Sequence, residues 1–367
     1  MPHFEGLSPG QTLAVAVSGG ADSLLALALA LDRGRNLERT AGAGVIGLHA
    51  HFLPPDAARA RLALELRALC ERLGARFYAV DLSAEFDRLV IAPFAAAYRA
   101  GLTPNPCADC NARMKFGLLL DAAENLGAGR LATGHYAALT LNEGGGPRLF
   151  RGVDPRRDQS YFLARVPAER LARAVFPLAA WRKTETQAEL VRRGLAAPLP
   201  KESREICFIP GDDYRAFLAA RGGMSGPGET VFADGRRAGR HQGLWRHTIG
   251  QRRGLGIAHA EPLYVLAKEA RANRLVVGVK SELAVDRFRV EGLNFLAAPE
   301  NWPHTLGVQT CYRQRPKPVA RIEWETRESA TVYPAQPMER PAPGQAAVFY
   351  VGDEVLAGGW IVEGAAQ

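Results

Sequence analysis

Short apolar runs alternate with amphipathic stretches through the first third of the chain. Four runs predict β-strands at residues 13–17, 45–48, 77–82 and 130–133. The stretches between them predict helices, and the leucine spacing from Leu62 to Leu73 places one apolar stripe on a helix that Gly74 ends. Because strands that alternate with helices pair in parallel, we expect an α/β fold with a doubly wound parallel sheet that binds ligands at the carboxyl ends of its strands.

The pattern changes along the rest of the chain. Helices are predicted at 84–99, at 114–126 and from 159 to 194, and Asp213 can cap a short helix over 214–220. Beyond it, short β-branched and aromatic runs separated by Gly and Pro are typical of small β-domains. We therefore expect three domains: a nucleotide-binding sheet domain at 1–203, a central β-rich domain at 204–286 and a barrel-like β-domain at 287–367.

A glycine-rich loop follows the first predicted strand. It reads Ser18-Gly19-Gly20-Ala21-Asp22-Ser23 and leads into an apolar helix. The two glycines let backbone N–H groups approach an anion, the serines add hydroxyl donors, and the helix N-terminus favours negative charge. The loop lacks the dinucleotide Gly-x-Gly-x-x-Gly pattern and the Walker Gly-Lys ending. It therefore predicts a different phosphate cradle, in which the Asp22 carboxylate suits Mg²⁺.

Composition and charge narrow the class of protein. A hydrophobic fraction of 47% with 23% charged residues is that of a soluble globular protein, and no apolar run approaches the roughly 20 residues that a membrane span needs. With no signal-peptide pattern, we expect a cytoplasmic protein without a membrane partner. The net charge of +8 favours a polyanionic partner.

Five cysteines, an odd number, argue against a disulfide framework. Cys110 is expected at a helix N-terminus, which would lower its thiol pKa and make it nucleophilic. Cys207 lies near a domain break, where a mobile segment would bring it to Cys110, and Cys70 falls on an apolar stripe in the core. A structural zinc site wants four ligands, whereas Cys107, Cys110 and Cys207 would suit an iron–sulfur cluster with one open iron.

Further motifs extend this picture in a fixed order along the chain. Together with the glycine loop they are Thr103-Pro104-Asn105-Pro106, Cys110-Asn111, Lys115-Phe116, Thr133-Gly134-His135-Tyr136, Arg151-Gly152-Val153-Asp154, Asp158-Gln159-Ser160-Tyr161-Phe162-Leu163, Ile206-Cys207-Phe208-Ile209 and Thr248-Ile249-Gly250-Gln251-Arg252-Arg253-Gly254-Leu255-Gly256. This set resembles the bacterial tRNA-specific 2-thiouridylase family, MnmA, over nearly the whole chain.

The resemblance implies ATP-dependent 2-thiolation of the wobble uridine of tRNA, with ATP and Mg²⁺ as cofactors. It places ATP at Ala16, Val17, Ser18, Gly19, Gly20, Ala21, Asp22, Ser23, Ala50 and Gly134. It makes Cys207 the persulfide carrier and Cys110 its partner thiol, which ends in a Cys110–Cys207 disulfide. It places the target base at Asn105, Pro106 and Cys107. The tRNA contacts that it implies are His135, Arg157, Asp158, Gln159, Cys311, Tyr312 and Gln345.

The implied partners are tRNA and a sulfur-relay protein or cysteine desulfurase, and the chain is expected to be a monomer. A run of six arginines without an acid, from Arg236 to Arg253, supports an RNA surface, with Trp245 as an aromatic face for a splayed base.

One departure from the family pattern leaves alternatives open. Many members carry Asp where Cys107 stands, and that carboxylate is the proposed acid and base for the uridine. In this chain, another group acts as the acid and base for the uridine, Cys107 itself takes part in catalysis, or Cys107, Cys110 and Cys207 hold an iron–sulfur cluster. Two other functions also stay open: a different adenylating ligase with the same loop, and an RNA-binding protein with a vestigial nucleotide site.

Overall fold

The computed structural model describes residues 11–41, 44–199 and 206–362. Its strands, in chain order, are β1 (Thr12–Ala16), β2 (Val45–His51), β3 (Arg76–Asp81), β4 (Ala128–Ala132), β5 (Ala137–Leu141), β6 (Pro147–Arg151), β7 (Ala174–Val175), β8 (Gly228–Phe232), β9 (Arg237–His241), β10 (Tyr264–Glu269), β11 (Arg274–Gly278), β12 (Ala284–Val285), β13 (Phe288–Phe295), β14 (Gly307–Gln309), β15 (Lys317–Trp324), β16 (Ser329–Pro334), β17 (Met338–Glu339), β18 (Ala346–Val351) and β19 (Glu354–Val362).

The α-helices lie mainly in the first two thirds of the chain. They are α1 (Ala21–Ala41), α2 (Ala57–Leu73), α3 (Ser83–Phe86), α4 (Ala92–Arg99), α5 (Pro106–Asp109), α6 (Leu120–Asn125), α7 (Ser160–Leu163), α8 (Ala168–Leu171), α9 (Lys183–Arg192) and α10 (Tyr214–Arg221). Two π-helical segments, Asp87–Ile91 and Cys110–Leu119, continue α3 and α5. None of the helices in the described ranges is long and apolar enough to cross a membrane.

Five parallel strands form the predicted sheet, in the order β3-β2-β1-β4-β7. The central strand β1 is buried at Leu13, Ala14 and Val15, because its short apolar side chains pack between layers on both faces of the sheet. Cys70 is fully buried in this core, as predicted, and its sulfur occupies the space beside Gly47 where a Cβ would come within 2.6 Å. The doubly wound α/β fold is thus confirmed.

The helix predicted at 114–126 begins earlier and is not uniform. Asn105 caps α5 by accepting a hydrogen bond from the Ala108 amide at 3.3 Å, and the helical path then runs through the π-helical segment into α6. Gly117 interrupts it with non-helical backbone angles. The Arg170 guanidinium donates to the carbonyls of Phe116 at 2.8 Å and Gly117 at 2.9 Å, so the break does not leave buried acceptors unpaired.

The helical prediction for 159–194 was wrong for much of its length. Only the short helices α7 and α8 and the longer α9 form there, and strand β7 lies between α8 and α9. Pro167 and Pro177 limit the helices, since proline lacks the N–H that a helix interior needs. Ala174 of β7 pairs with Leu131 of β4 and so extends the parallel sheet by one strand. The predicted helix at 214–220 is confirmed as α10, with Asp213 as its cap.

Two β-modules follow. The first is a four-stranded sheet in the order β10-β11-β8-β9, and the second is a six-stranded barrel, β13-β16-β15-β14-β18-β19, which the pairing of β13 with β19 closes. The hairpin β5-β6, from the first part of the chain, adds to the barrel strand β19. Arg148 of the hairpin donates two hydrogen bonds to the Glu354 carboxylate, at 2.8 and 2.6 Å.

Candidate active site

The glycine loop connects the end of β1 to the start of α1. Gly19 has a φ of +90°, a left-handed conformation that favours glycine. The Ser23 hydroxyl accepts hydrogen bonds from the Ser18 amide and the Ser18 hydroxyl, both at 3.1 Å, and donates to the Gly20 carbonyl at 2.9 Å. Leu199 donates its amide to the Gly19 carbonyl at 2.9 Å. These bonds fix a tight turn at the carboxyl end of the central strand.

Neighbouring strand ends form the walls around this loop. Ala50 lies near the carboxyl end of β2, and the Val17 amide donates to the Leu48 carbonyl at 2.9 Å. Gly134, just beyond β4, packs against the loop so closely that a Cβ would lie 2.8 Å from the Asp22 carbonyl carbon and 2.9 Å from the Ser23 nitrogen. The structure therefore brings the residues expected to bind ATP together at one edge of the sheet.

Asp22 has partners that the sequence analysis did not identify. Lys183 Nζ and the Tyr136 hydroxyl both donate to Asp22 Oδ1 at 2.6 Å, and the Tyr136 hydroxyl also hydrogen-bonds to Thr186 Oγ1 at 2.9 Å. Lys183 is the first residue of α9, at the end of the loop that follows β7, the strand that the helical prediction missed. Recognition of β7 as a strand would have pointed to this loop, because ligands bind where parallel strands end.

The three cysteines singled out from the sequence share one neighbourhood. A negative charge on Cys207 raises the pKa of both Cys107 and Cys110, and the Lys115 ammonium lowers the pKa of all three thiols. Burial is nevertheless the largest effect, and it raises the pKa of Cys107 to about 11. Cys207 is exposed, whereas Cys110 is buried, and all five cysteines are free thiols in this structure.

The expected low pKa of Cys110 was wrong. The helix begins at Pro106 rather than at Cys110, so Cys110 is its fifth residue and lies beyond the unpaired amides of the first turn. The side chain is only 9% exposed, and burial raises the pKa of Cys110 to about 12, with Asp109 also raising it and Lys115 opposing the increase. Its thiolate therefore needs a change of surroundings or a neighbouring cation.

A buried histidine links the cysteines to the glycine loop. The Lys115 ammonium lies 3.3 Å from His135 Nε2, and His135 Nδ1 lies 2.7 Å from Thr133 Oγ1. Burial lowers the pKa of His135 well below its usual value, so the ring is neutral and its Nε2 accepts from Lys115. His135 directly follows Gly134, so one hydrogen bond joins the thiol neighbourhood to the wall of the phosphate cradle.

The residues expected to hold the target base are themselves held by the protein. Asn105 is buried and uses its side-chain oxygen to cap α5, and Pro106 is also buried. Gln345, expected to contact tRNA, donates its amide to the carbonyls of Thr103 at 3.0 Å and Pro104 at 3.2 Å. The barrel therefore fixes the segment that leads to Cys107.

The remaining residues implied for tRNA binding differ in exposure. His135 and Asp158 are buried, and Asp158 receives the Arg151 guanidinium at 2.8 Å. Gln159 accepts the Tyr136 amide at 3.0 Å. Arg157 is half-buried, Cys311 is exposed, and Tyr312 is half-buried with its ring 4.6 Å from that of Phe162. Arg157, Cys311 and Tyr312 are therefore accessible to a large nucleic acid in this structure, whereas His135 and Asp158 are not.

Trp245 does not offer the aromatic face expected from the sequence. It is 5% exposed, its Nε1 donates to the Ser225 carbonyl at 3.0 Å, and the Arg246 guanidinium lies over its ring. The apolar ring packs in the large hydrophobic cluster that also contains Phe94 and Phe208, instead of reaching solvent. Five arginines of the same run remain exposed and keep the surface basic: Arg236, Arg237, Arg240, Arg252 and Arg253.

Three family models match consecutive parts of the chain: a tRNA methyl transferase HUP domain over 11–211, a tRNA methyl transferase PRC-barrel domain over 215–279 and an aminomethyltransferase beta-barrel domain over 285–361. A curated relative from Nitratidesulfovibrio vulgaris (strain DSM 19637 / Miyazaki F), the tRNA-specific 2-thiouridylase MnmA, is 51% identical over 95% of this chain and 99% of its own length. The chain belongs to the MnmA family. A second MnmA relative, from Oleidesulfovibrio alaskensis, is 50% identical over 95% of this chain and 98% of its own length.

Among solved structures, the MnmA-family chain matches the U34-tRNA thiolase NcsA from Methanococcus maripaludis with its [4Fe-4S] cluster. The TM-score is 0.35 with 16% sequence identity, and the match covers 59% of this chain and 66% of that chain.

The side chains of this MnmA-family site that could bind a metal are spread apart in the described residues. Across the described parts of the chain, no three side chains of His, Cys, Asp and Glu are grouped so that they could hold a metal ion. Cys107, Cys110 and Cys207 share a neighbourhood, but their arrangement does not fit the ligand set of a cluster. The described side chains therefore do not support the iron–sulfur alternative.

Thiol reactivity in this MnmA-family site should depend on pH and on Lys115. Since desolvation of the thiol raises the pKa of Cys207 above its usual 9.0, with Lys115 opposing the increase, iodoacetamide should alkylate it about tenfold faster at pH 8 than at pH 7, as the thiolate fraction grows. Lys115→Met should slow alkylation severalfold at each pH, because the cation that lowers the pKa is lost. Lys115→Arg keeps the charge and serves as the control. Peptide mass spectrometry measures the rates, and an unchanged rate in Lys115→Met would contradict the assignment.

Proposed function

We propose that this chain catalyses the ATP-dependent 2-thiolation of the wobble uridine of tRNA. The observation that carries the proposal is the hydrogen bond between Lys115 and His135, because it joins two kinds of chemistry in one site. On one side lies a phosphate cradle at Ser18–Ser23 walled by Gly134, and on the other lie Cys110 and Cys207. An enzyme that activates a carbonyl oxygen with ATP and then replaces it with sulfur needs both.

The first step proposed is adenylation. The uridine O2 attacks the α-phosphorus of ATP, the bond to the bridging oxygen breaks, and pyrophosphate leaves with that electron pair. The glycine loop binds the phosphates through its amides and serine hydroxyls. Asp22 is the residue that fits Mg²⁺, since it is a carboxylate at the loop, and the ion would supply charge neutralisation there. The result is an O2-adenylate whose leaving group is AMP.

The second step is sulfur transfer. The terminal sulfur of a Cys207 persulfide forms a bond to C2, and AMP leaves with the oxygen. The Cys110 thiolate then attacks the Cys207 sulfur, which breaks the persulfide S–S bond and leaves the sulfur on C2 as 2-thiouridine. The product disulfide, Cys110–Cys207, is reduced by an external thiol before the next turnover. Exposure of Cys207 supports its loading by a persulfide-bearing relay protein or a cysteine desulfurase.

We also propose the organisation expected from the sequence. The catalytic domain spans 1–203, the central domain 204–286 and the barrel domain 287–367, with the first boundary outside the described residues. The protein is proposed to act as a cytoplasmic monomer. The hairpin β5-β6 does not follow this division into domains, because its residues lie within the catalytic domain but β6 pairs with the barrel strand β19.

The deciding experiment uses the purified full chain with an unmodified tRNA transcript, MgATP and a persulfide donor. We expect 2-thiouridine at position 34, with one pyrophosphate and one AMP per thiolated base. The same transcript with cytidine at position 34 is the control and should yield neither product. Release of ADP, or pyrophosphate release on a small amino acid instead of tRNA, would overturn the proposal in favour of another ATP-dependent enzyme.

The exposed arginines of the central module should set the salt dependence of tRNA binding. Arg252 and Arg253 are exposed next to a glycine-rich loop, whereas Arg236 is paired with Asp234 at 2.7 Å. If each of the first two contacts a phosphate, the double variant R252A/R253A should lower the slope of log Kd against log salt by about 1–2 units. The Arg236→Ala control should change it less. Filter binding between low and moderate salt measures the slope. Equal slopes for the wild-type protein and R252A/R253A would show that these two arginines do not contact tRNA phosphates.

A further inference from the structure

Lys183 is the cation held against the glycine loop. Its ammonium lies 2.6 Å from Asp22 Oδ1, and its side chain is 16% exposed, so it is mostly enclosed but keeps some access to solvent. The Tyr136 hydroxyl donates to the same carboxylate oxygen at 2.6 Å, and its ring lies 6.0 Å from the Lys183 ammonium. The nucleotide loop therefore holds an anion and a cation side by side.

The backbone of Lys183 is anchored independently of this ion pair. Its amide donates to Asp154 Oδ2 at 3.1 Å, and α9 packs against α1, the helix that follows the glycine loop. Thr186, one turn further along α9, is fully buried and bonds the Tyr136 hydroxyl. The start of α9 is thus fixed beside the loop, while the four-carbon lysine stem can redirect the ammonium by several ångströms.

Charge balance at the loop changes when a nucleotide triphosphate enters. The phosphates bring several negative charges to a site that already contains the Asp22 carboxylate, and a carboxylate beside phosphates is stable there only when a cation compensates both. If Asp22 turns to Mg²⁺, as the proposed function assigns, the carboxylate becomes a weaker partner for Lys183. A lysine ammonium is a point charge that binds phosphate oxygens well.

We propose that Lys183 exchanges Asp22 for the β- and γ-phosphates of ATP and neutralises pyrophosphate as it leaves. The step is the breaking of the bond between the α-phosphorus and the bridging oxygen. The electron pair of that bond goes to the β-phosphate, and the protonated Lys183 stabilises the added charge without giving up its proton. This inference rests on the proposed adenylation and assigns to it a cation that the glycine loop itself does not contain.

The test compares Lys183→Met, which removes the charge, with Lys183→Arg, which keeps it. Arg192→Met is the matched control, since Arg192 lies on the same helix with its side chain 69% exposed and paired to Glu189. Each variant is assayed for tRNA-dependent pyrophosphate release, for binding of inorganic pyrophosphate with Mg²⁺ by calorimetry, and for binding of AMP. Thermal unfolding verifies that the variants fold.

We expect Lys183→Met to lower kcat for pyrophosphate release by about 10²–10³-fold, the scale seen when a preorganised charge is removed. It should weaken pyrophosphate binding at least tenfold and leave AMP binding unchanged, while Lys183→Arg retains most activity. A structural role alone would lower the melting temperature and weaken both ligands together, and that result would overturn the inference. If the wild-type protein thiolates tRNA and Lys183→Met releases pyrophosphate at the wild-type rate, the inference is wrong and the proposed function stands. If the wild-type protein binds pyrophosphate but forms none from ATP in the presence of tRNA, the proposed function itself is wrong.

Discussion

Cys207→Ser should abolish formation of 2-thiouridine, with a loss of at least about 10³-fold, on the scale of losses caused by removing a covalent nucleophile. The reason is that serine cannot carry a persulfide, whereas the glycine loop and its ATP chemistry are untouched. A first turnover of pyrophosphate should therefore remain. Quenched-flow measurement of pyrophosphate together with nucleoside analysis of the tRNA separates the two steps.

Cys110→Ser should fail at a different point. Cys207 would still be loaded with sulfur, but the product would not be released, so the protein should accumulate a sulfur adduct that intact-mass spectrometry detects. Cys70→Ala is the control for thiol number, because Cys70 is buried in the sheet core away from this chemistry. Full thiolation by either active-site variant would show that the transfer does not require both of these thiols.

Gly134→Ala should inactivate the nucleotide site. The added Cβ would lie 2.8 Å from the Asp22 carbonyl carbon and 2.9 Å from the Ser23 nitrogen, both backbone atoms that cannot rotate away. Overpacking of this kind costs about 1–3 kcal/mol. A loop displaced by about 1 Å can lose about 10²-fold in rate, so we expect at least that loss in pyrophosphate release.

Gly129→Ala is the matched control for this change. Gly129 lies in β4, the same strand that leads to Gly134, and a Cβ added there meets no atom within 4 Å. It should leave pyrophosphate release and the melting temperature close to the wild-type values. Equal activity of both variants would mean that the wall at Gly134 does not shape the phosphate cradle.

The features that local sequence determines could be predicted. The four strands 13–17, 45–48, 77–82 and 130–133 were recognisable because each is a short apolar run, and the glycine loop was recognisable from its position after one of them. Their carboxyl ends then had to meet at one edge of the sheet. Cys70 was assigned to the core by helical spacing alone, and it lies there.

The rest depends on contacts between distant parts of the chain. Strand β7 has two residues, too few for a periodic signal. Lys183 was missed as well, because 161 positions separate it in the sequence from its partner Asp22. The high pKa of Cys110 results from packing around the thiol, which helix position alone does not reveal. Trp245 lies in a basic run but is buried for the same reason.

The hydrogen bond from Leu199 to Gly19 limits how far Cys207 can lie from the nucleotide loop. Leu199 is fixed to the nucleotide loop, and eight residue steps lead from it to Cys207. Since an extended chain spans at most about 3.6 Å per residue, the Cys207 backbone always stays within roughly 29 Å of Leu199. If Cys207 carries the sulfur as proposed, the number of residues back to Leu199 alone keeps that sulfur within this distance of the residue bonded to the nucleotide loop.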